Sequence, residues 1–222
     1  MNRGDQAVYN GYEVCLWPLE YVGITGTPSS ANHVVSGVSN SGLYDNGWYQ
    51  SQIRHLYAPV TLELIATYND GAHTQQWASV DPVWLPGFND PQYITFICSH
   101  SDNLYYTQVG TIIQQGTHFY DTGTYGLGTG AHVHLGLCIG RRTNAFPTGY
   151  NAYVGGNIWY SPNPPNTIAD YFYILPTDII RNTGGYTFTT YEGKITHLFN
   201  KALLYYLLVK KKKKGVRAYV TT

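Results

Sequence analysis

Two histidines one residue apart, His132 and His134, stand in the run Gly130-Ala131-His132-Val133-His134-Leu135-Gly136-Leu137. On a strand, side chains at i and i+2 share a face. The two imidazoles then project together while Val133, Leu135 and Leu137 pack on the opposite side. Adjacent imidazoles suit a metal ion or proton transfer, although the spacing alone is equally at home in exposed strand histidines. A third histidine, His100, closes the apolar run that starts at Tyr93, and period two sets Ile94, Phe96, Cys98 and His100 on one face. His33 and Asp45 lie in a stretch over 22–47 rich in Gly, Ser and Asn, and imidazole and carboxylate are both zinc donors. A catalytic zinc needs three protein ligands and one open position, and further histidines beside it can move protons.

The elements that must position these side chains read as strands. Val60, Leu62 and Leu64 alternate with Thr61, Glu63 and Ile65, a period near two. Asn69-Asp70-Gly71 marks a turn, and residues 82–92 form a Pro-rich loop. Strands are expected over 93–100 and 131–140. Residues 1–20 read as a short entry strand or a packed arm, 22–47 as a long irregular stretch, and 111–120 as a loop with a short strand. The segment 122–130 is glycine-rich, which suits a close approach or a rim. Residues 168–180 read as a strand or short helix broken at Pro176. A helix is expected over 196–209, where Leu and Ala dominate and Gly and Pro are absent. The fold expected is mainly β: an antiparallel core sheet whose long loops form a metal-binding groove, with that helix at the C-terminal end. A single domain over 1–195 is expected, with motifs in 17–140 and a loop-rich extension over 141–195, followed by the helix and a basic tail over 196–222.

Composition narrows the partners. The 24 Gly and 22 Tyr favour turns and pleated strands. Lys plus Arg and Asp plus Glu both number 13, so no net field draws nucleic acid. The run Lys210 to Lys214 reads as a solvated tail. No segment has the ~18 apolar residues of a membrane helix. The opening Met1-Asn2-Arg3-Gly4-Asp5-Gln6 is not followed by an apolar stretch, so no secretory signal is expected. Three cysteines, Cys15, Cys98 and Cys138, show no CxxC spacing. Each reads as a buried thiol, and Cys98 and Cys138 form a bridge only if their strands adjoin.

The order of these pieces resembles the lysostaphin/LytM family of metallopeptidases. That family has an early His…Asp pair, a later His ending a strand, and a His-x-His strand after a Gly-rich turn. Here these are His33 and Asp45, then Ile97-Cys98-Ser99-His100, then Gly126-Leu127-Gly128-Thr129-Gly130-Ala131-His132-Val133-His134. Tyr57-Ala58-Pro59-Val60 is similar to the family's strand after the Asp motif, and Val109-Gly110 through Gly116-Thr117 to its step before the Gly-rich turn. The resemblance covers roughly 17–140 and is nearest to peptidase domains of phage tail tips. It implies one zinc ion on His33, Asp45 and His134, with His100 and His132 as the non-ligand catalytic pair. It implies cleavage of peptide bonds in the peptidoglycan stem or cross-bridge. The setting would be a phage tail or release at host lysis, with other tail proteins as partners. Eleven residues separate His33 from Asp45, a wider gap than the family's. His73 with Asp81 is the alternative pair, within what reads as an inserted loop. His55 falls outside the family order, and His118 reads as a loop histidine.

Two other functions fit the same residues. One is a wall-binding or virion structural module on this fold with catalysis lost. The other is a Cys/His hydrolase built on Cys98, although i and i+2 on a strand rarely give nucleophile–base geometry.

Overall fold

The computed structural model describes residues 1–26, 34–35, 38–39, 43–47, 53–126, 130–141, 172–182 and 188–197. Its described elements are all strands, and no helix among them is long and apolar enough to cross a membrane. In chain order they are β1 (Asp5–Tyr9), β2 (Tyr12–Glu13), β3 (Tyr21–Gly26), β4 (Val34–Val35), β5 (Val38–Ser39) and β6 (Leu43–Gly47). Then come β7 (His55–Tyr57), β8 (Leu62–Thr67), β9 (Gln75–Ser79), β10 (Ile94–Ser99), β11 (Ile112–Ile113) and β12 (His118–Asp121). The last are β13 (His132–Ile139), β14 (Tyr173–Ile174), β15 (Ile179–Asn182), β16 (Thr189–Thr190) and β17 (Ile195–His197).

The main sheet has the order β11-β8-β9-β10-β13-β6-β3-β15. Its ladders are antiparallel except for the parallel pairing of β15 with β3. The fold is therefore mainly β, as the alternating patterns implied. One face of the sheet carries the core: Leu64, Trp77, Phe96, Cys98, Leu135 and Leu137 are buried with Trp17, Phe119 and Phe172. Each such large side chain contributes roughly 1.5–3 kcal/mol by leaving water. Trp77 meets Phe119 edge-on at 5.3 Å between ring centroids, the arrangement that aromatic quadrupoles favour. A smaller sheet, β17-β1-β2, covers a second cluster of Met1, Ala7, Val14, Leu16 and Leu175. Strands β7 and β12 pair separately as a two-stranded sheet.

Several expectations are corrected. The stretch 22–47 is not simply irregular: β3 and β6 both join the main sheet, and Asp45 is a strand residue. Residues 72–81 do not form an inserted loop, because β9 lies between β8 and β10 and is buried throughout. Its polar Gln75 and Gln76 hid it from a hydrophobic pattern; Gln75 donates to the Tyr106 carbonyl, and the Tyr68 hydroxyl donates to Gln76. The helix over 196–209 does not begin as expected. Thr196 and His197 belong to β17, which pairs with β1; the rest of that segment lies outside the described residues. The described part of 168–180 takes the strand alternative, with β14 before Pro176 and the start of β15 after it. Strands β10 and β13 do adjoin, but Cys98 faces Leu135 and Cys138 faces Thr95. Three positions at ~3.4 Å rise hold the two cysteines apart along the ladder, and Cys98 is a free buried thiol.

Candidate functional site

Strict alternation along β10 would send the His100 side chain into the core. Cys98 pairs with Leu135 and Phe96 with Leu137, all buried core residues, whereas Ser99 pairs with His134. His100 escapes this because its φ is +84°, a left-handed conformation that costs a non-glycine residue roughly 1–2 kcal/mol. The expected shared face of Ile94, Phe96, Cys98 and His100 therefore ends at Cys98. The turned-over imidazole lies 4.7 Å from the ring of His132 and 5.9 Å from that of His134, centroid to centroid.

The surrounding turns hold this strained residue. The His100 amide donates to the Ala72 carbonyl at 2.7 Å, and its carbonyl accepts from the Tyr125 amide at 3.1 Å. Gly123 crosses so close that a Cβ there would stand 2.2 Å from the His100 carbonyl oxygen. Gly126, at φ +92°, would place a Cβ 2.7 Å from the Gly71 carbonyl and 3.5 Å from His100 Nδ1. The glycine-rich segment after Thr122 is thus a close approach against His100. Asp102 pins it further by accepting from the Thr124 amide at 3.0 Å.

His132 and His134 lie on β13, whose Val133, Leu135 and Leu137 fill the core as the alternation required. His134 is buried and His132 half-buried. His132 is bracketed by Gly123: its amide donates to the Gly123 carbonyl at 3.0 Å and its carbonyl accepts from the Gly123 amide at 2.9 Å. The Nδ1 atoms of His100 and His132 sit 2.8 Å from the Tyr125 carbonyl and 2.7 Å from the Gly130 carbonyl. A carbonyl only accepts, so each Nδ1 carries the proton, and each neutral ring keeps Nε2 as its basic atom.

Asp45 enters by register: strand β6 pairs with β13 so that Asp45 stands directly opposite His134 in the ladder. The structure thus brings His100, His132 and His134 together and sets Asp45 across from His134. His33 lies outside the described residues.

The remaining histidines take other positions. His73, at φ +52°, has Nδ1 2.9 Å from the Ser101 carbonyl, and its ring stacks on Tyr125 at 3.5 Å. It thereby helps to hold the Tyr125 turn rather than pairing with Asp81. His118 is not a loop residue: it opens β12, and with His55 of β7 it flanks Asp121. His55 Nδ1 lies 2.7 Å, and His118 Nε2 2.8 Å, from Asp121 Oδ1, while the Tyr105 hydroxyl donates to Oδ2. Burial works against ionisation of Asp121, but the hydrogen bonds from His118, Tyr105 and His55 together outweigh it and hold the carboxyl below its usual range. Desolvation, then the bond to Asp121, pushes the Tyr105 phenol up to about 12. Sequence reading missed this group because its members come from three separate segments; Tyr105 and Asp121 carry no local motif. Cys98 offers no nucleophile, since burial pushes its thiol far above the usual range.

No family model matches the chain, and no curated protein does. Solved structures show partial likeness. A zinc-containing peptidase from Vibrio cholerae superposes with a TM-score of 0.39 at 14% identity, over 62% of this chain and 45% of that one. The antimicrobial peptidase lysostaphin from Staphylococcus simulans gives 0.39 at 14%, over 74% and 62%. A chain of the SpoIIIAH–SpoIIQ complex gives 0.40 at 12%, over 56% and 94%. The chain spans less than two thirds of either peptidase, and none of these likenesses bears on its chemistry.

Proposed function

We propose that this chain is a zinc-dependent endopeptidase of the lysostaphin/LytM type that hydrolyses peptide bonds in bacterial peptidoglycan. The observation that carries the reading is the convergence of His100, His132 and His134, with Asp45 opposite His134 in the β6–β13 register. That convergence depends on a strained backbone at His100, and strain of this kind concentrates at functional sites. The family order of motifs supplies the substrate class.

The donor set fits zinc: a buried imidazole at His134 and a carboxylate at the facing position are among its ordinary ligands. His33 would complete the set. Bound zinc supplies a Lewis acid and a water nucleophile at neutral pH. His100 and His132 do the proton work. Each is fixed through Nδ1 to a backbone carbonyl, which sets Nε2 as the atom that takes up or gives a proton. One neutral Nε2 takes a proton from the attacking water. The other, when protonated, donates toward the developing oxyanion or the departing amine. Such proton transfer contributes about 10²–10⁴-fold. By the same resemblance the setting is a phage tail or a lysing host, with other tail proteins as partners.

Replacing His132 by Ala tests the reading. An enzyme loses wall cleavage by about 10²–10⁴-fold and keeps its bound metal. A wall-binding module keeps its affinity for peptidoglycan and has no cleavage to lose.

A further inference from the structure

We propose a second metal site, separate from the first, in which His55 Nδ1, His118 Nε2 and Asp121 Oδ1 hold one divalent transition-metal ion of the zinc class. The three donor atoms all lie within 4.8 Å of one another. Both imidazole nitrogens already aim at one carboxylate oxygen, at 2.7 and 2.8 Å, and the two rings stand 4.4 Å apart. Zinc bonds of ~2.0–2.2 Å in tetrahedral array set ligand atoms roughly 3.3 Å apart. To admit an ion, each nitrogen draws back from Oδ1 by about half an ångström and the two nitrogens, within 4.8 Å of one another, settle at a similar spacing, changes that side-chain rotations supply. In that exchange the ion takes the place of the imidazole protons now shared with the carboxylate.

The donor chemistry selects the ion. Two nitrogens and one carboxylate suit zinc, copper or nickel, whereas calcium and magnesium prefer oxygen sets. The second carboxylate oxygen accepts from the Tyr105 hydroxyl, the kind of outer partner that orients a ligating carboxylate. Asp121 is 3% exposed and His118 21%, while His55 at 57% faces solvent, so the site has a fixed floor and an open side for water. Because β7 and β12 pair only with each other among the described strands, an ion here would staple this non-local strand pair ahead of the Gly123 approach to His100. The inference does not depend on the peptidase reading, since no residue is shared with it.

The test uses the full chain, stripped with chelator, loaded with excess zinc, desalted and assayed for bound zinc. The wild type is expected to hold two ions per chain. His118→Ala and His55→Ala are each expected to hold one, and the double variant His118→Ala/His134→Ala none. The solvent-facing His55 keeps the test open should His118→Ala fold poorly. An anomalous zinc peak between His55, His118 and Asp121 in a crystal would support the same conclusion. Wild-type zinc content in both His55→Ala and His118→Ala would overturn the site and leave a purely hydrogen-bonded trio. If only His134→Ala keeps the wild-type content, the peptidase centre fails and the second site stands.

Discussion

Two groups of histidines differ in what anchors them. In the His100–His132–His134 group, His100 and His132 spend Nδ1 on backbone carbonyls. In the His55–His118–Asp121 group, both histidines turn a nitrogen to a single carboxylate oxygen. Backbone anchoring fixes the tautomer, so that the proton-exchanging nitrogen is Nε2. Gathering around a carboxylate concentrates donors at a point, which suits holding an ion rather than moving a proton. The first group is reached through a strained residue and two glycine approaches; the second rests on an ordinary strand pairing with a register shift between His118 and Tyr120.

The largest effect that could break this contrast is at His100 and His132. Alanine at either is expected to lower wall cleavage by about 10²–10⁴-fold with metal content unchanged, whereas His118→Ala should retain most of the cleavage and lose metal. Equal losses of cleavage from both groups, read in one digestion assay, would erase the distinction.

Gly123→Ala comes next. Its Cβ would meet the His100 carbonyl at 2.2 Å, so the backbone must move, costing about 1–3 kcal/mol. Cleavage should fall together with thermal stability, while zinc bound at His55, His118 and Asp121 is retained. Wild-type melting and activity would show that the approach is looser than its geometry.

Smaller effects are expected away from both groups. Cys98→Ser should keep full cleavage, and the native Cys98 thiol should resist alkylation at neutral pH until the protein unfolds, because burial raises its pKa well above the usual range. Rapid labelling of the native thiol would contradict this. Glu13 is also raised, by burial first, with bonds from Thr61 only partly offsetting it. A carboxyl whose folded pKa lies above its unfolded one favours folding most when protonated. The wild type should therefore lose stability relative to Glu13→Gln as pH rises from the ordinary glutamate range through the raised folded value. Denaturant melts across that range would show the wild type falling progressively below the variant as pH rises, and no pH-dependent difference would reject it.

Much of the sheet was legible because its period-two apolar patterns coincide with burial, as in β10 and β13. The His132/His134 pairing followed from the same alternation. Other features were hidden for physical reasons. β9 is buried through glutamines that find partners, which no hydrophobic count detects. The path of His100 to the site depends on one positive φ, which a histidine rarely adopts and a sequence pattern does not signal. Asp45 was singled out as a zinc donor by the family order of motifs, but its place opposite His134 depends on long-range register. His55, His118 and Asp121 meet through a non-local strand pair, and local spacing carries no trace of it.

The central claim is tested most directly by counting new amino groups released from purified peptidoglycan. The zinc-loaded chain is expected to release them, to stop on chelation, and to resume when zinc is restored. Absence of new amino groups with zinc-loaded protein, or release that chelator leaves unchanged, would contradict it.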